Sequence, residues 1–155
     1  MKPVSKDIKV IAQNKRAYHE YFIEEEIEAG IILKGTEVKS LRCSQASIAE
    51  SYADQIDDEI FLLGSNIPEY SKARIFNHYP KRQRKLLLHK KEIKRLTGLI
   101  KRKGYTLVPL SLYFNSSNIA KISLGLARGK KQHDKREAIK QRDWDRDKNR
   151  LLKHS

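Results

Sequence analysis

This 155-residue chain holds one cysteine (Cys43), one methionine and one tryptophan, and the cysteine count alone removes several classes. A lone cysteine forms no intramolecular disulfide and no CxxC metal site, so nothing points to an oxidising compartment. No run approaches 18 apolar residues, and the opening MKPVSKDIKV lacks the apolar centre of a signal peptide. A cytoplasmic protein is expected. A phosphate-cradling P-loop, a GxSxG elbow, an HExxH pair and a GxGxxG turn are all absent, and the five histidines show no metal-ligand spacing. No catalytic residue, metal or cofactor is expected.

What the chain has is positive charge. Thirty-three Lys and Arg face nineteen Asp and Glu, a net of +14 with a pI near 9.9. The signs are segregated: residues 1–71 carry 8 basic and 13 acidic side chains, 72–103 carry 13 and 1, and 128–155 carry 11 and 5. A merely solubilising surface interleaves its signs, whereas blocks of one sign call for a polyanionic partner. In the middle block only Glu92 balances Lys81, Arg82, Arg84, Lys85, Lys90, Lys91, Lys94, Arg95, Lys101, Arg102 and Lys103. Phosphate binding explains this better than a solvated helix face, which normally carries acid–base pairs four residues apart. Tyr70, His78 and Tyr79 are interleaved and are candidates to stack on unpaired bases. The acidic counterpart, His19-Glu20 with Glu24, Glu25, Glu26 and Glu28, has the ligand types of a divalent-ion nuclease but reads first as a solvated strand face.

Hydrophobic spacing outlines the fold. Residues 14–34 read as a strand through Tyr21, Ile23 and Ile27, bent near Gly30, and Val38 with Leu41 predicts a two-turn helix over 35–43. Residues 47–56 and 59–67 read as a hairpin turning at Asp57-Asp58. Ile93, Leu96 and Ile100 mark a basic helix, with His89 and Glu92 as a capping box, Gly98 as a weak point and Gly104 at its end. TLVPLSLYF and IAKISLGLA flank an Asn/Ser turn, with Leu110, Leu112 and Phe114 sharing one face and Ile122, Leu124 and Leu126 another. Short strands around one helix predict a mainly β, closed or nearly closed barrel. Residues 1–128 form the barrel domain in this reading and 129–155, poor in apolar residues, a basic tail.

Five blocks in order, HEYFIEEEIEAG, GTEVKSLR, RKLLLHKKEI, TLVPLSLYF and GKKQHDKR, together with RDW at 142–144, resemble the SsrA-binding (small protein B) family. Each block alone is weak, and the ordered set is specific. The resemblance implies an OB-like barrel with flanking helices and a C-terminal tail that is disordered when free and helical when bound. It implies a non-catalytic factor that binds the tRNA-like domain of transfer-messenger RNA and delivers it to ribosomes stalled on non-stop mRNA. It implies as partners that RNA, the small-subunit decoding centre and mRNA channel, and, through the RNA complex, elongation factor Tu and alanyl-tRNA synthetase. A monomer with no membrane association is expected. By the same resemblance Glu28, Leu87, His89, Lys90 and Lys121 contact RNA, and Lys130, Lys131, His133, Asp134, Lys135, Arg136, Lys140, Arg142 and Trp144 act on the ribosome. Leu87 is equally compatible with core packing. The alternatives from the residues are a ribosomal or ribosome-assembly protein and a metal-dependent RNase.

Overall fold

The computed structural model describes residues 8–43, 46–73 and 75–129. In chain order they form strand β1 (Lys9–Gln13), the one-turn helix α1 (Ala17–Glu20), strand β2 (Tyr21–Ile31), helix α2 (Gly35–Arg42), strands β3 (Tyr52–Ile56), β4 (Glu59–Leu63) and β5 (Arg84–Leu87), helix α3 (Lys90–Lys103), and strands β6 (Thr106–Phe114) and β7 (Ala120–Gly129). All pairings are antiparallel. From β3 they run to β4, β5, β2, β7 and β6, and β6 returns to β3 through Ala53 opposite Leu107. The ring therefore closes, and β1 lies along the other half of β6, with Lys9 opposite Phe114. This is the expected mainly β, OB-like barrel.

Alternation fills the barrel. Ile27, Ala29 and Ile31 of β2, Ile60 and Leu62 of β4, and Ile122, Leu124 and Leu126 of β7 point inward, joined by Leu41 of α2 and by Ile93 and Leu96 of α3. The predicted β7 face is thus the inner one. The predicted β6 face is not continuous. A bulge between Pro109 and Ser111 shifts the register, so Leu112 and Phe114 enter the barrel while Leu110 turns out to a second cluster with Ala17, Val108 and Ala127. One extra residue sends every later side chain to the opposite face. The same happens in β2, whose bulge falls between Ile23 and Glu25 rather than near Gly30. Tyr21 and Ile23 consequently pack on the outer cluster, and Ile27 in the barrel.

Residues 14–20, expected to be strand, are instead a turn and α1. Asn14 leaves the ladder there, donating its backbone N–H to the Leu110 carbonyl (2.8 Å) and its side-chain amide to that of Pro109 (3.0 Å). The hairpin at Asp57-Asp58 forms as predicted, with both residues in the left-handed region at φ 49° and 62°, which two-residue turns between twisted strands require. His89 is the N-cap of α3 but makes no side-chain capping bond, and Glu92 instead joins Arg95, so the expected capping box is absent. Gly104 ends α3 at φ 68°.

The chain between β4 and β5 is held down by polar struts. Arg84 occupies an inward position of β5 with its side chain fully buried, and its Nε donates to Glu37 of α2 at 2.5 Å. Its remaining nitrogens reach the Ser65 carbonyl (3.0 Å) and hydroxyl (2.9 Å) and the Pro80 carbonyl (3.0 Å). Arg82 also donates to Glu37. His78, expected to stack on RNA bases, is buried instead. Its Nε2 lies 2.8 Å from the Ile67 carbonyl, which can only accept, so Nε2 carries the proton and Nδ1, 2.9 Å away, accepts from the Thr36 hydroxyl. It is a strut of this segment.

Candidate nucleic-acid interface

β5, β2 and β7 lie side by side, and the register sets Gly30 of β2 between Leu87 of β5 and Lys121 of β7. Outward side chains of these strands and the start of α3 line a cleft of about 580 Å³ that holds Glu28, Leu87, His89 and Lys121 together. Four of the five barrel residues singled out from sequence therefore converge. The fifth, Lys90, lines a different cleft on the far side of α3.

Each group is positioned by something identifiable. The Tyr113 hydroxyl reaches across β7 to donate to Oε2 of Glu28, which leaves the other oxygen open to the cleft. Burial, reinforced by that carboxylate, pushes the Tyr113 phenol well above its ordinary range, so it remains the donor. Leu87 lies on Gly30: a Cβ there would sit 3.1 Å from Leu87 Cβ, close enough that the leucine would have to shift by a few tenths of an ångström. Leu87 is 52% exposed, so it is a presented side chain and not a core one. Lys121 points away from the buried Ile122 and makes no ion pair among the described residues. Tyr113 does not stand out in the sequence, and Gly30 reads there only as a bend, because both act on residues far away along the chain.

The acidic run on β2 is cross-braced. Arg95 forms a bidentate pair with Glu25 (2.7 and 2.9 Å) and also binds Glu92. Glu24 accepts from Tyr105 (2.6 Å) and from Arg128, and the Tyr105 bond foremost holds its carboxyl below the ordinary range. Glu26 accepts from Tyr18 at 3.0 Å. Among the described residues no three His, Cys, Asp or Glu side chains are grouped to hold a metal ion. Arg95, counted from sequence with the phosphate-binding set, is already paired. Of the stacking candidates, Tyr70 lies under Lys39 Nζ at 5.8 Å and Tyr79 is well exposed. Lys130, Lys131, His133, Asp134, Lys135, Arg136, Lys140, Arg142 and Trp144 lie outside the described residues.

This chemistry suits base edges and riboses. A carboxylate is acceptor-only and can take hydrogen bonds from exocyclic amines and 2′-hydroxyls, an exposed leucine can pack on a base or sugar, and the lysine can meet a phosphate. Leu87→Ala is accordingly expected to cost less than about 1.5 kcal/mol of stability, against the 2–5 kcal/mol of a buried leucine. Leu87→Ala and Lys121→Ala should each weaken RNA binding about tenfold, a change of ~1.4 kcal/mol. Thermal melts alongside binding curves read both quantities, and normal binding by both variants would remove this cleft from the interface.

A small OB-like barrel presenting such a cleft has the make-up of an RNA-binding protein. Its residues 11–154 match the family model of the SmpB protein, and the chain belongs to that family. It is 61% identical over 145 residues to the SsrA-binding protein of Rickettsia canadensis (strain McKiel), covering 94% of this chain and 95% of that one. The SsrA-binding protein of Rickettsia bellii (strain OSU 85-389) is 60% identical over 145 residues, covering 94% and 96%. Among solved structures, a chain described as "tmRNA-SmpB: a journey to the center of the bacterial ribosome" superposes with a TM-score of 0.63 at 52% identity, covering 76% of this chain and 82% of its own. It belongs to the same RNA-binding family.

Proposed function

We propose that this chain binds transfer-messenger RNA and acts with it on the ribosome in trans-translation. The observation that carries the reading is the convergence of Glu28, Leu87, His89 and Lys121 in one outward cleft. Residues up to 128 hold the tRNA-like domain, and 129–155, with 11 basic and 5 acidic residues in 128–155, engage the decoding centre and mRNA channel. The chain does this without catalysis, as a cytoplasmic monomer, and meets elongation factor Tu and alanyl-tRNA synthetase through the RNA. Shape and 2′-hydroxyl recognition suits a folded RNA, since its deep major groove is closed to side chains.

Binding should survive removal of 129–155 nearly intact. Its affinity should fall with salt at a log–log slope on the order of −0.7 to −0.9 per neutralised phosphate. Gel shifts of the 1–128 fragment test this, and a loss beyond about a hundredfold, or ~2.7 kcal/mol, would move the main site into the tail. Sequencing the RNA that copurifies with the whole chain tests the partner. One small structured RNA supports the reading, and stoichiometric ribosomal subunits with none of that RNA would replace it with a constitutive ribosomal protein.

A further inference from the structure

The cleft on the far side of α3, between that helix and the β3–β4 turn, has a volume of about 530 Å³. Ile93, Thr97 and Gly98 line it along the helix, and Lys94, Lys101 and Arg102 surround them. Three of its features have no explanation inside the fold. Gly98 sits mid-helix, where glycine is disfavoured, yet its φ is not positive and an added Cβ would meet nothing within 4 Å. Thr97 Oγ1 is buried without a hydrogen-bond partner, although a mid-helix threonine ordinarily bonds the carbonyl four residues back. Among the described residues Lys94, Lys101 and Arg102 have no carboxylate within 4.0 Å, whereas Arg95, on the same helix, has two. The acids across the cleft are engaged: Glu59 lies 3.5 Å from Lys85 Nζ, and Asp58 accepts from Gln55 at 3.5 Å.

We propose that this cleft is a second RNA site, taking one nucleotide with its sugar or base against Gly98 and its phosphate among Lys94, Lys101 and Arg102. On binding, a rotation about χ1 turns the Thr97 hydroxyl out of its buried position to donate to that phosphate, and the glycine is a clearance, since any side chain would stand where the ribose goes. Lys90, which turns away from the first cleft, belongs here. The division is chemically sensible. The first cleft is rich in carboxylates and reads base and sugar edges, while this one supplies the unpaired cations that hold a backbone. The inference rests on the RNA-binding reading above, and the ligand is either transfer-messenger RNA or ribosomal RNA.

The test uses the full chain with Gly98→Ala and, separately, Lys94→Ala with Lys101→Ala. Each is measured for melting and for binding to labelled transfer-messenger RNA and to purified small ribosomal subunits. Gly98→Ala should raise Tm by roughly 2–5 °C while weakening one of the two RNAs about tenfold. Loss in the first arm assigns the cleft to transfer-messenger RNA, and loss in the second to ribosomal RNA. The double lysine variant should fail in the same arm. Binding of both RNAs within twofold of wild type by Gly98→Ala overturns the proposal, as does a lower Tm, which would mean that the glycine serves the fold. A wild-type chain that binds neither RNA overturns this site and the RNA-binding reading together.

Discussion

Glu37→Ala is expected to lower the unfolding free energy by roughly 3–5 kcal/mol, because it strands a buried guanidinium. Glu37 and Arg84 both have fully buried side chains, and the pair is built to completion. Arg84 places its Nε on the carboxylate and its other nitrogens on three oxygens of Ser65 and Pro80. Glu37 accepts in addition from Arg82 and from the Lys34 backbone N–H at 2.7 Å. Remove the carboxylate and the donors keep their burial while losing their counter-charge, the costly half of the exchange. Replacing both partners with apolar residues, Glu37→Leu with Arg84→Met, should recover much of the loss, since well-packed apolar groups often match a buried pair. Urea unfolding with unchanged m-values measures it, and a loss under about 1 kcal/mol for Glu37→Ala would show the pair to be dispensable.

The pH dependence has a definite sign. Burial alone would raise the Glu37 carboxyl, but the Arg82 hydrogen bond, the Lys34 N–H and the Arg84 charge outweigh it and hold it below the ordinary carboxylate range. A group whose folded pKa is depressed contributes fully above its unfolded value. That stability is lost as pH falls through the folded one. Acid should therefore weaken wild type below the ordinary glutamate pKa, and Glu37→Ala should lack that part of the acid transition.

Replacing Asp134, Lys135 and Arg136 together by alanine, or Trp144 alone, should abolish tagging of stalled nascent chains while leaving transfer-messenger RNA binding as in wild type. Ile139, Trp144, Leu151 and Leu152 are too few to offset the ordering of some 27 residues at ~1–2 kcal/mol of backbone entropy each, so the sequence predicts that a partner is needed to order the tail. The spacing of its charges predicts a helix for the ordered form. Arg142, Arg146 and Arg150 recur every four residues, and Asp143 and Asp147 stand three before Arg146 and Arg150. As a helix, 137–155 would extend roughly 30 Å at ~1.5 Å per residue, long enough to follow a channel cut for mRNA. A reconstituted tagging reaction decides it. Tagging at the wild-type rate by a chain lacking 133–155 would leave the tail a solubilising appendage.

Where local pattern governs, the sequence was readable. α2, α3, the Asp57-Asp58 hairpin and the β6–β7 hairpin all rest on spacing within some twenty residues, and all formed where spacing put them. β1 and β5 went unseen for the opposite reason. LysValIleAlaGln is extended because β6 lies beside it about a hundred residues later, and Arg84–Leu87 looks like the run-in to a helix until β4 and β2 flank it. Leu110 was placed on the wrong face because a bulge leaves little mark in composition. His78 reads in sequence as a base-stacking ring because no local pattern shows Thr36 and the Ile67 carbonyl closing on it. The family resemblance marked four members of the first cleft, and only the barrel could show that Lys90 parts company with them.

The pairing of β2 has a consequence for how the protein is made. Tyr21 lies opposite Gly129 and Gly30 opposite Lys121, so β2 leaves the ribosome about a hundred residues before its longest partner exists. Until β5 follows it is an eleven-residue segment with no strand to pair with, and until β7 follows most of it stays bare, the kind of segment that pairs with another nascent copy of itself. Glu24, Glu25, Glu26 and Glu28 interrupt its apolar alternation and set like charges against each other in any such pairing. The carboxylates that later shape the outer cleft thus first act as gatekeepers, keeping the strand single until β7 arrives.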